Sequence, residues 1–211
     1  MGDQPTFEDI AETMKRAAAA LRDADVPFAL AGSLATWARG GPETTHDLDF
    51  VMRPSDSERA AAALEEVGMR SEDPPEEWLL KAWDGNGVLV DLIFGPSGLD
   101  PDKVLERAET ISVMSMELRV MALEDVIATK VLSLTEHSVD YATLLVMARA
   151  LREQIDWGAV RRRTAGSPFA DAYFVLLDRL GITSEPAGRD REDTGRERVH
   201  VEVTTSGEGR S

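Results

Sequence analysis

Two of the most apolar stretches in this chain carry carboxylates where a buried strand ordinarily has none, and this constrains the fold more than any other feature. In residues 88–94, reading VLVDLIF, Asp91 is flanked by Leu89, Val90, Leu92 and Ile93. Burying such a charge is costly unless it is paired, coordinated or protonated. In residues 47–53, reading DLDFVMR, Asp47 and Asp49 stand at the head of another apolar run. Side chains two apart in a strand leave the same face of a sheet, so this pair can share a ligand. If the two strands are neighbours, three carboxylates converge on one spot. That is a donor set for hard divalent cations such as magnesium, which are held by carboxylates together with substrate phosphates. The plain alternative is a capping Asp47, with Asp49 and Asp91 facing solvent from a half-covered sheet. Any one of the three alone would favour that alternative; all three together favour a site.

A second feature lies just upstream. Residues 28–31, reading FALA, suit a short buried strand that ends at Gly32-Ser33, and 34–38 suit a helix stopped by Gly40-Gly41-Pro42. Glycine permits close backbone approach, and the N–H groups at a helix start favour phosphate. Ser33 also suits the ordinary role of helix cap, and the two roles are compatible. The sequence contains no Walker loop, dinucleotide glycine fingerprint or His-Glu-x-x-His.

The remaining pattern gives a mixed sheet followed by helices, an α/β (α+β) architecture. Residues 7–23 carry Ile10, Met14, Ala17 and Leu21 at helical spacing behind Thr6 as N-cap. A helix is expected over 56–67, an acidic, proline-containing loop over 71–77, and strands over 79–83 and 88–94 around the hairpin signal Asp84-Gly85-Asn86-Gly87. A short helix over 101–108 and strands over 111–114 and 118–121 follow. Helical periodicity then covers 124–134, 139–152, 157–163 and 169–180. The expected division is a core with its N-terminal helix over 1–121, a helical subdomain over 122–183, and a disordered tail over 184–211.

Composition narrows the partners. Among 211 residues, 39 acidic and 23 basic side chains give a formal net charge of −16. That opposes sequence-independent binding to nucleic acid, which depends on neutralising phosphate. The one dense basic cluster, Arg161-Arg162-Arg163, reads as a solvated helix end. The chain has no cysteine, which excludes disulfides and thiolate metal sites. No apolar run is long enough to span a bilayer and no export signal is visible, so a cytoplasmic location without membrane attachment is expected. Trp37, Trp83 and Trp157 read as packing residues, and His46 as a loop histidine beside Asp47.

Gly32-Ser33, then Asp47-Leu48-Asp49, then Asp91 on a later apolar strand resembles the nucleotidyltransferase superfamily related to DNA polymerase beta. Lys130 in LEDVIATKVLSL and Asp140 in DYATLL are similar to the downstream lysine and aspartate of the AbiEii-type nucleotidyltransferases, which include toxins of toxin–antitoxin pairs. The resemblance covers about residues 26–150. It implies that Gly32 and Ser33 hold nucleotide phosphates, and that Asp47, Asp49 and Asp91 bind magnesium, two ions in all. It also implies that Asp91 helps activate the attacking hydroxyl, that Lys130 meets the triphosphate, and that Asp140 orients Lys130 or the base. Lys130 as a lysine snorkelling at a helix edge stays open beside this. The implied reaction moves a nucleoside monophosphate from an NTP to a hydroxyl of a small molecule such as an aminoglycoside or lincosamide, of tRNA, or of a protein. An antitoxin partner would accompany the toxin reading. The alternative is a non-catalytic nucleotide-binding antitoxin or regulatory module of the same fold.

Overall fold

The computed structural model describes residues 5–42, 47–72 and 74–183. His46 and the expected tail over 184–211 lie outside the described residues. The chain opens with α1 (Phe7–Asp23), whose N-cap Thr6 forms a reciprocal capping box with Asp9. Then come β1 (Phe28–Leu30), α2 (Gly32–Trp37) and β2 (Leu48–Met52). A 3₁₀ turn (Pro54–Asp56) leads into α3 (Ser57–Glu66). Next are β3 (Arg70–Glu72), β4 (Leu79–Trp83), β5 (Leu89–Ile93), α4 (Pro101–Arg107), β6 (Glu109–Val113) and β7 (Met116–Val120). The chain continues through α5 (Leu123–Leu132), α6 (Tyr141–Leu151), α7 (Trp157–Arg163) and α8 (Pro168–Arg179).

The strands form one mixed sheet in the order β3-β4-β5-β2-β1-β7-β6. β2 runs parallel to β5 and β1 parallel to β7; the other pairs are antiparallel. Alternation decides what each face receives. On β2, Leu48, Phe50 and Met52 are fully buried, and on β5 so are Val90 and Leu92. They share one core with Ile10, Met14 and Leu21 of α1 and Leu64 of α3. Burial of each such large side chain contributes about 2 kcal/mol. Asp49 and Asp91 occupy the opposite face.

The hairpin forms as its sequence predicts. Asp84 Oδ1 accepts the N–H groups of Asn86 and Val88 at 2.8 and 2.9 Å, and its Oδ2 accepts from Thr13 Oγ1 at 2.5 Å, pinning the turn to α1. The neighbouring stretch departs from expectation: residues 70–72 form an edge strand where the acidic stretch from 71 reads as loop. An edge tolerates exposed charge, so the apolar signal used to find strands is missing there.

The last four helices surround a second core of Ile127, Val131, Leu144, Leu151, Val160, Tyr173, Phe174 and Leu177. α5 serves both cores, since its Val126 packs with the sheet cluster while Ile127 and Val131 face the helices. The fully buried Asp125 fastens this junction. It accepts from Arg107 Nε and Nη2 at 2.8 and 3.0 Å and pairs with Arg163 Nε at 3.2 Å. Arg163 is therefore not part of a solvated helix end as its sequence suggests. Arg161 also finds partners, stacking 4.0 Å from the Phe174 ring centroid and bridging Asp178.

Candidate active site

The parallel register of β2 and β5 sets Asp49 directly opposite Asp91. The expected adjacency of the two carboxylate-bearing strands is thus present, and both residues share the face away from the α1–α3 core. Asp47 stands exposed one residue before β2. Burial pushes the Asp49 carboxyl up to about 7; Asp91 and Asp47 push the same way, while Lys130 and Lys81 oppose them. Burial also raises Asp91, against the Lys81 ammonium that holds it down.

Gly32, the first residue of α2, leaves no room for a side chain. Its φ is +58°, and a Cβ there would lie 1.8 Å from Asp49 Oδ2. The glycine is required by the backbone's left-handed conformation and by the carboxylate pressed against it. Ser33, the next residue, lines a cavity of about 570 Å³ together with Thr36, Asp47, Asp49, Lys130 and Thr143. A second cavity of about 200 Å³ shares Asp49 and Lys130 and extends toward Trp78, Pro96, Ser97 and Ser133. Asp49 and Lys130 therefore stand at the boundary between two openings, one of them floored by the first turn of α2.

Lys130 reaches this place because α5 packs against α2, with Ile127 and Val131 buried on the helical side. Asp140 is the N-cap of α6, accepting from Thr143 N–H at 3.1 Å. Hydrogen bonding from Thr143 holds its carboxyl below the usual range, and Lys130 adds to that effect. Asp140 is exposed and does not line either of these two cavities; its neighbour Thr143 does.

Sequence reasoning passed over Lys81. It faces Asp91 across the hairpin, and its Nζ donates to Asp91 Oδ1 at 3.0 Å. The signal was present in the turn, because the Asp84–Gly87 loop fixes the pairing of residue 83 with 89 and hence of 81 with 91. Trp37 and Trp157 are packing residues as expected, against Phe7 and Phe174.

Among the described residues, no three acidic or histidine side chains stand close enough as they lie to enclose an ion. The donor chemistry still suits a divalent cation. Asp49 and Asp91 are oxygen donors on adjacent strands, and a dication would offset the burial and the like charge that raise Asp49.

A scan against protein-family models finds no match, and neither does a search of curated proteins. Solved structures do match. The solution structure of the antibiotic-resistance factor ANT(2'')-Ia is 16% identical, with 83% of this chain and 98% of that chain covered and a TM-score of 0.56. A crystal structure of ANT(2'')-Ia in complex with adenylyl-2''-tobramycin is also 16% identical, covering 78% of this chain and 98% of that chain with a TM-score of 0.56. A Thermotoga maritima protein provisionally identified as a nucleotidyltransferase is 14% identical, with 83% of this chain and 97% of that chain covered and a TM-score of 0.48. The seven-stranded mixed sheet with its flanking helices is the nucleotidyltransferase fold.

Proposed function

We propose that this chain transfers a nucleoside monophosphate from an NTP to a hydroxyl acceptor. The observation that carries the reading is the placement of Asp49 opposite Asp91 beside a cavity that also presents Ser33 and Lys130. Magnesium would be held by Asp47, Asp49 and Asp91. When bound, it supplies charge neutralisation at the phosphates and lowers the cost of deprotonating the acceptor. In the reaction a bond forms between the acceptor oxygen and the α-phosphorus, the α–β bridging P–O bond breaks, and pyrophosphate leaves with that bond's electron pair. Asp91 takes the acceptor proton. Ser33 and the backbone of Gly32 approach the phosphates, while the Lys130 ammonium meets the triphosphate between the two cavities. Asp140, at the α6 N-cap, orients Lys130 or the base.

A small-molecule acceptor is the first to test, because a protein of the same fold is known in complex with adenylyl-2''-tobramycin. The strong negative charge of the chain opposes RNA as acceptor. The AbiEii-type reading, with its antitoxin partner, rests on Lys130 and Asp140 alone. The test is incubation with labelled NTPs, magnesium and aminoglycoside, lincosamide, tRNA and protein acceptors. Labelled product with wild type should fall by on the order of 10³-fold in Asp49→Asn, the scale of losing a metal-held charge stabiliser. Equal transfer by that variant refutes the assignment. Nucleotide binding that is independent of metal, or unaffected by Asp49→Asn, would instead favour the non-catalytic nucleotide-binding antitoxin or regulatory module.

A further inference from the structure

Lys81 belongs to a row of charged residues that crosses four strands. In register, Glu72 of β3 faces Lys81 of β4, Lys81 faces Asp91 of β5, and Asp91 faces Asp49 of β2. The Lys81 ammonium lies 3.0 Å from Asp91 Oδ1, with side-chain exposures of 26% and 14%. On its other side Glu72 is held by the Trp83 indole, whose Nε1 donates to Glu72 Oε2 at 2.9 Å. Directly opposed cross-strand side chains lie about 5 Å apart at Cβ, so one flexible lysine reaches either carboxylate.

We propose that Lys81 is a resident counter-cation for Asp91, occupying the carboxylate that the proposed divalent cation would use and moving toward Glu72 when that cation arrives with nucleotide. This inference rests on the nucleotidyl-transfer reading above. An ammonium and a dication repel strongly at such separations, so the two compete for Asp91 rather than share it. The consequence is that free metal binds weakly and metal accompanied by triphosphate binds well. Lys81 is thus a positioning residue, acting on the site through Asp91.

The test measures Mn²⁺ binding to nucleotide-free protein by calorimetry and by the loss of free-ion paramagnetic resonance signal, and binding of the preformed Mn²⁺–ATP complex by calorimetry. In nucleotide-free protein, Lys81→Met should bind Mn²⁺ about tenfold more tightly than wild type, within the range typical of groups that tune metal ligands. Lys81→Arg, which keeps the charge, should restore the weak binding of wild type. Adding Asp91→Asn to Lys81→Met should abolish the gain. Lys81→Gln provides the same loss of charge should the methionine variant fail to fold. If wild type binds Mn²⁺ with ATP while Lys81→Met and Lys81→Gln show no gain without it, the Lys81 assignment is overturned and the proposed function stands. If no variant binds Mn²⁺ under either condition, both are overturned.

Discussion

Asp125 is fully buried while Asp49 is half-buried at the edge of two cavities, and the protein treats the two carboxylates in opposite ways. Asp125 is met by the forked guanidinium of Arg107 and by Arg163, so its charge is fully compensated within the fold. Asp49 is placed beside Asp91 and near Asp47, and burial and like charge push its carboxyl up to about 7. The first arrangement is complete as folded; the second leaves two carboxylates facing each other across adjacent strands. A buried charge therefore identifies neither a structural nor a functional position by itself. What separates the two is whether the surrounding residues balance it.

The comparison breaks most decisively at Asp125. Replacing it with alanine should destabilise the protein by about 3–5 kcal/mol, because Arg107 and Arg163 would keep their charges without the partner. Chemical denaturation measures this, and a loss under about 1 kcal/mol would remove the contrast. At Gly32, substitution by alanine places a Cβ on Asp49 Oδ2 and forces a left-handed backbone on a residue that resists it. That change should cost on the order of 2–3 kcal/mol and reduce nucleotide binding; wild-type melting together with wild-type binding would contradict the close approach.

Asp49 should behave in the opposite sense from Asp125. Because its folded carboxyl holds its proton up to about pH 7, the folded state binds more protons than the unfolded chain between about pH 4 and 7. Its contribution to stability is complete below that window and is lost as pH rises through it. In chelator, wild type should thus lose stability relative to Asp49→Asn between about pH 4 and 7. Allowing for the carboxyl's partial access to the cavity, the difference should be about 2 kcal/mol, or about 4–8 °C in Tm. A pH-independent difference between the two would show that Asp49 is already compensated. The smallest effect is expected at Asp140, where Asp140→Ala removes an exposed N-cap and should cost about 1 kcal/mol. If Asp140 also orients Lys130, the variant weakens nucleotide binding, which Asp140→Asn, preserving the cap, would reproduce without the stability loss.

The parts of this molecule that the sequence made legible are those where a residue type conflicts with its neighbours. Asp91 inside VLVDLIF and Asp49 inside DLDFVM stand out because charge in an apolar strand demands a reason, and both lie on the candidate site. The hairpin and the capped first helix were readable from turn and cap chemistry confined to a few adjacent residues. The residues that were missed depend on pairing across the sheet. Residues 70–72 contain no apolar pattern because an edge strand needs none, and Lys81 looked like an ordinary charge until the hairpin register set it against Asp91. Arg163 was misjudged for a similar reason, its partner Asp125 being fixed only by how α5 and α7 pack.

The double allegiance of α5 has a consequence for motion. With Val126 in the sheet core and Ile127 and Val131 in the helical one, this helix cannot leave either without uncovering apolar surface in the other. Backbone amides in β2 and in α5 should then exchange with solvent through shared opening events rather than separately. A ligand gripping Lys130 would slow exchange in strands it never touches.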